Sequence, residues 1–228
     1  RILLIALGVL GVLLAGAAIT AWRWTQTPHG PLDLGPALLI NLAPARGPLD
    51  FSPEARRTAN ARVASLMPGT VEGVAIRDTD FPGPAGPVPL RIYTPEETEE
   101  DTEEETPEDT PQDAQENEPL PVLVYIHGGG WWMGDDLAIW DGNCSRLAAD
   151  VPAVVVSVDY RLAPEHRFPA AVDDAYAALV WTEAHARELG GDPRKLALHG
   201  SSAGGNLVGA VTLRARDEAG PAARLQVL

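Results

Sequence analysis

The chain has 228 residues, with 17 Lys and Arg against 32 Asp and Glu, one Cys and a formal net charge of −15. That length is enough for one domain with a well-buried core. The single Cys144 allows no internal disulfide and has no Cys/His cluster around it, which excludes a structural zinc site. Thirteen of the 32 acidic residues fall between Glu96 and Glu118; without them 19 acidic face 17 basic residues, so the remainder is near neutral and nothing points to a nucleic-acid partner.

Ile2 to Trp22 is 21 residues without a charge. As a helix it would span about 31 Å, close to the hydrocarbon thickness of a bilayer. Trp22 and Trp24 stand at its end, where amphipathic rings favour a membrane interface. Residues 1–24 are therefore expected to be a transmembrane anchor or a signal peptide; Ala15-Gly16-Ala17 offers an A-x-A-like cleavage site for the second reading. Either way residues 2–22 meet a membrane, and the rest of the chain is expected to be membrane-anchored or exported, on the non-cytoplasmic side. Arg1 and Arg23 leave the positive-inside bias nearly balanced.

Residues 25–49, rich in Pro, Gly and Leu, read as a linker with a short helix around Ala37–Asn41. The domain is expected over 50–228. Ser52 is a candidate N-cap with Pro53 and Glu54 behind it, opening a helix to Met67 with Ala55, Ala59, Val63 and Leu66 on one face. Val71–Ile76 and Val88–Tyr93 read as two antiparallel edge strands joined by a Gly/Pro loop. The acidic insert 95–119 has nothing to bury and is expected to be disordered and to loop out of the domain.

From residue 121 onward strands and helices alternate. Pro121–Ile126, Ala153–Val158 and Lys195–Leu198 are apolar runs of buried-strand length. Trp140–Ala149, Pro169–Leu189 and Ala203–Glu218 have helical spacing, the second stopped by Gly190-Gly191 and the third by Gly220. The fold class is α/β, a mostly parallel sheet covered by helices on both faces.

Two motifs carry chemistry. His127-Gly128-Gly129-Gly130-Trp131 directly succeeds the first buried strand, and three glycines let backbone N–H groups face a cavity. Such donors stabilise a developing oxyanion by roughly 3 kcal/mol each. The second motif is Gly200-Ser201-Ser202-Ala203-Gly204, which lies between a strand and a helix and has the context of a nucleophile elbow. Small residues two before and two after the serine let strand and helix approach.

These motifs, with Asp159-Tyr160-Arg161-Leu162-Ala163-Pro164-Glu165, closely resemble the hormone-sensitive-lipase-like branch of the α/β-hydrolases over roughly residues 50 to 228, apart from the insert. The resemblance implies a carboxylic-ester hydrolase with Ser202 as nucleophile and the amides of Gly129, Gly130 and Ala203 as oxyanion hole. It implies supporting roles for His127, Gly128, Gly200 and Gly204, with His127 shaping the loop rather than acting as base, and it makes Ser52–Met67 an N-terminal cap helix over the acyl pocket. The 159–165 block and His166 are expected to be structural. A small-molecule ester is the expected partner, with no cofactor and no metal; the sequence does not choose an acyl group, an alcohol or an oligomeric state, and an amide or carbamate substrate fits the same site.

The chain departs from that family at position 201, Ser where Asp is common, and by its acidic insert. In this fold the triad order is Ser, Asp/Glu, His. After Ser202 come only Asp217 and Glu218, and all five histidines (29, 127, 166, 185 and 199) precede it. Asp217 would lie about 22 Å along the helix from Ser202. The acid and base are expected beyond Leu228, since Arg224–Leu228 reads as a strand just starting. The alternative function is a small-molecule-binding protein on the same scaffold, as in the receptors for gibberellin that resemble this family.

Overall fold

The apolar runs of the second half become the inner strands of one sheet. In the computed structural model, which describes residues 2–27, 30–31, 33–34, 50–96 and 118–228, the chain divides into two units, Arg1–Asp50 and Phe51–Leu228.

In the first unit helix α1 (Ile2–Thr25) leads into a two-residue pairing of β1 (Gln26–Thr27) with β2 (Gly30–Pro31). Side chains of residues 2–10, 12 and 13 lie outside the described set, and among the described residues no helix is long and apolar enough to cross a membrane. The anchor or signal reading of residues 1–24 therefore rests on the sequence alone. The short helix expected at Ala37–Asn41 and nearly all of the acidic insert (97–117) lie outside the described residues.

The second unit opens with helix α2 (Pro53–Ala64), where the Ser52 hydroxyl accepts the Ala55 N–H at 3.2 Å. Then come β3 (Val74–Gly83), β4 (Gly86–Pro95), β5 (Leu120–Ile126), α3 (Asp141–Asp150), β6 (Val154–Val158), α4 (Ala170–His185), β7 (Gly191–Gly200), α5 (Ala203–Asp217) and β8 (Leu225–Val227). Their order across the sheet is β3-β4-β6-β5-β7-β8. β3 and β4 pair antiparallel, as do β4 and β6; the other three pairings are parallel.

Three expectations need correction. Only β3 of the expected edge pair lies at an edge, because β4 also pairs with β6. The Gly/Pro stretch 82–87 is mostly inside the hairpin, with Pro82 opposite Pro87 and the reversal confined to residues 84–85. Proline is tolerated there because a strand end can do without its N–H. The helix expected to run to Met67 ends at Ala64 with Ser65 as its C-cap, which leaves Leu66 outside it and exposed.

Alternation along β5 divides the core. Val122, Val124 and Ile126 join Val154, Val156, Leu179, Leu207 and Val211 in a cluster roofed by α4 and α5. Tyr125 points the other way, to Tyr93, Val155, Trp140, Cys144 and Ala148 under α3. Each fully buried Val or Leu contributes about 1.5–3 kcal/mol, so these clusters fix which ends of β5 and β7 lie together. At one end β4 leaves the sheet at Pro95 and β5 enters at Leu120, on either side of β6. At the other end Ile126 is in register with Gly200.

Candidate active site

That register places the loop leaving β5 beside the turn leaving β7. Ser202 sits between β7 and α5 with φ 53° and ψ −117°, a backbone conformation that side-chain-bearing residues rarely adopt. It is the N-cap of α5, exposed, with its carbonyl accepting the Asn206 N–H at 3.2 Å. The close approach explains the flanking glycines. A Cβ at Gly204 would collide with the carbonyls of Ile126 and His127, and one at Gly200 with the backbone of Gly204.

The glycine loop abuts this elbow. A Cβ at Gly128 would lie 3.4 Å from Ser202 Cβ and 3.1 Å from Ser201 Oγ. Gly129 (φ 123°), Gly130 (φ 61°) and Trp131 (φ 61°) continue with positive φ, and the Gly129 carbonyl accepts the N–H groups of Trp132 and Met133, both at 3.2 Å. Across the loop the Ala163 N–H donates to the Trp131 carbonyl at 2.8 Å. The amides of Gly129, Gly130 and Ala203 make no hydrogen bond to other described residues. Ala203 begins α5, where orphan N–H groups and the helix dipole favour negative charge.

Residues 123–228 match a family model described as the alpha/beta hydrolase fold. Over that stretch the chain has the α/β-hydrolase fold. Esterase LipI of Mycobacterium tuberculosis is 43% identical over 151 residues, 66% of this chain and 42% of LipI. Carboxylesterase NlhH of the same species is 51% identical over 109 residues, 48% of this chain and 34% of NlhH. Among solved structures, a bacterial heroin esterase superposes with a TM-score of 0.67 at 36% identity, covering 86% of this chain and 56% of that one. The hyperthermophilic esterase of Pyrobaculum calidifontis gives 0.65 at 36% identity, with 83% and 54% covered. The chain thus spans under half the length of these two mycobacterial relatives.

Within this fold His127 is fully buried, stacked on Tyr160 (ring centroids 4.2 Å) and Trp140 (5.4 Å). Its Nδ1 donates to the Gly128 carbonyl at 2.7 Å, which assigns the proton to that nitrogen and leaves Nε2 without a partner among the described residues. Burial lowers its pKa to about 4, so the ring is neutral. The Tyr160 hydroxyl donates to the His127 carbonyl at 2.8 Å. His199 stacks on Tyr125 and burial lowers its pKa. His185 bonds the Trp181 carbonyl within its own helix, and His166 is exposed on the loop after Leu162. No described histidine is hydrogen-bonded to the Ser202 hydroxyl. His29 lies outside the described residues, and Asp217 closes the far end of α5, paired with Arg216.

Ser201, the departure from the family pattern, lies half-buried under the glycine loop, its Oγ against Gly128. In the 159–165 block, Arg161 makes three bonds of 2.7–3.0 Å to the buried Asp174 of α4, while Glu165 and the Ala163 carbonyl both receive Arg56. Asp159 is half-buried; burial first, then the carboxylates of Asp135, Asp136 and Asp174, raise its pKa to about 7. Two clefts, of about 460 and 290 Å³, lie along α2 and this block, and neither is lined by Ser202. Among the described residues no group of His, Cys, Asp or Glu could hold a metal ion. Sequence reasoning missed Asn60, Arg56, Asp135 and Asp174, whose partners are far apart along the chain.

Proposed function

We propose that the protein is a carboxylic-ester hydrolase in which Ser202 attacks the ester carbonyl. The oxyanion then lies among the amides of Gly129, Gly130 and Ala203, its collapse breaks the ester C–O bond and releases the protonated alcohol, and water then releases the acid from the acyl-enzyme. The observation that carries this reading is the contact between the strained Ser202 and Gly128, because it puts a nucleophile against a loop with unused donors. His127 is excluded as the base by its buried bond to Gly128 and serves to shape the loop. The base and the carboxylate that orients it come from outside the described residues. The similarity to esterases of known name supports an ester substrate, small enough to reach an exposed serine.

The test is hydrolysis of p-nitrophenyl butyrate by the full-length protein. Ser202→Ala is expected to lower kcat by about a thousandfold or more; activity that survives this substitution overturns the assignment. A binding protein on the same scaffold would instead bind the ester without turnover in the unsubstituted protein.

For residues 2–22 the reading is a membrane anchor or a cleaved leader, with the hydrolase on the non-cytoplasmic side. Its support is the uncharged 21-residue run and the exposed Leu14, Ile19 and Trp22 on α1. Carbonate-resistant membrane association of the intact protein, lost on removing residues 1–24, is the expected result; a soluble intact protein with its N-terminus unprocessed rules out both forms.

A further inference from the structure

Helix α2 buries none of its residues completely, and its apolar anchorage to the core is the half-buried Val63. Its polar contacts converge on the limb that closes the glycine loop. Asn60 Oδ1 accepts the Gly134 N–H at 2.9 Å, and Asn60 Nδ2 donates to Asp135 Oδ1 at 2.7 Å. One turn earlier on the same face, Arg56 reaches Asp135 Oδ2 at 3.5 Å, the Ala163 carbonyl at 2.9 Å and the Glu165 carboxylate. Just before the helix, Phe51 stands edge-on to Trp132 with ring centroids 5.4 Å apart.

The braced limb is coupled to the amides that face Ser202. Trp132 and Met133 both donate to the Gly129 carbonyl, which closes the turn on itself. Gly134 (φ 101°) packs so tightly on His127 that a Cβ there would lie 2.6 Å from Nδ1. A shift at Gly134 therefore moves either His127 or the turn beginning at Gly129.

We propose that Asn60 is a positioning residue for the oxyanion-binding loop, fixing Gly134 and Asp135 from α2 while Arg56 holds Asp135 from its other oxygen. This rests on the serine-hydrolase reading above. The helix then contributes to the rate of the chemical step, beyond covering a substrate.

The experiment exchanges donor and acceptor. N60D sets two carboxylates against each other at positions 60 and 135, whereas in N60D/D135N the amide at position 135 donates to the carboxylate at position 60. With p-nitrophenyl butyrate and the full-length protein, N60D should lower kcat about tenfold with KM within about twofold, since small displacements of catalytic groups cost this much or more. The double variant should return to within about threefold of the parent. Unchanged kcat in N60D, or a KM increase at constant kcat, overturns the proposal. So does a kcat loss that the exchange does not restore, or one that merely tracks a drop of more than about 10 °C in Tm. Ser202→Ala run alongside separates the two levels. If it stays active, the hydrolase reading itself fails; if it is inactive while N60D is unaffected, only the bracing role fails.

Discussion

Ser202 holds a backbone conformation that costs about 1–3 kcal/mol, and it persists because the glycines around it leave no alternative packing. Gly204 is the tightest of these positions, since a methyl group there meets the carbonyl oxygens of Ile126 and His127, both backbone atoms at the centre of the sheet. Gly204→Ala is expected to lower stability in denaturant titration by about 2 kcal/mol or more and to remove esterase activity. Two titrating groups nearby oppose each other. His127, at about 4 against an ordinary 6.5, refuses in the fold a proton that the unfolded chain accepts, so its contribution falls as pH drops from 6.5 towards 4. Asp159, at about 7 against an ordinary 3.8, takes up a proton in the fold first, so its contribution rises as pH drops from 7 towards 3.8. Asp159→Asn removes the second effect. The variant should be more stable than the parent at pH 8 and lose stability more steeply between pH 7 and 4, which urea midpoints across that range will show.

Between elements, the 159–165 turn is held to α4 by the Arg161–Asp174 pair, in which Asp174 is completely buried and accepts three bonds. Asp174→Ala leaves the guanidinium and the Arg161 N–H without their acceptor. A loss of about 3 kcal/mol in unfolding free energy is expected, with Tm lowered to match. The strands, helices and elbow around this turn are legible in the sequence because each depends on local signals: apolar runs, a Ser-Pro-Glu helix start, glycines flanking a serine. The full extent of the β3–β4 hairpin is not, since Pro82 to Pro87 read as a loop and only the ladder shows that strand ends absorb them. Arg56 and Asn60 are not legible either. They sit on an alanine-rich helix, and their partners are 74 to 109 positions away, a separation that leaves no periodic trace. Asp174 reads as one more polar residue in a helix until the fold brings Arg161 to it.

At the scale of the whole molecule, the two anchors of the acidic insert lie at the end of the sheet away from Ser202. β4 finishes and β5 starts there with only β6 between them, a gap of about 10 Å that a few residues would bridge. The seven residues of β5 then set about 23 Å between that end and the glycine loop, nearly three screening lengths at physiological salt. Replacing residues 97–117 with a short Gly/Ser linker is therefore expected to leave kcat/KM for a neutral ester within about twofold and Tm within a few degrees, although it removes most of the molecule's excess negative charge. The sheet thus carries an insertion port: a place where chain length and charge can be rewritten by evolution, or a reporter domain grafted by design, without the reaction centre registering the change.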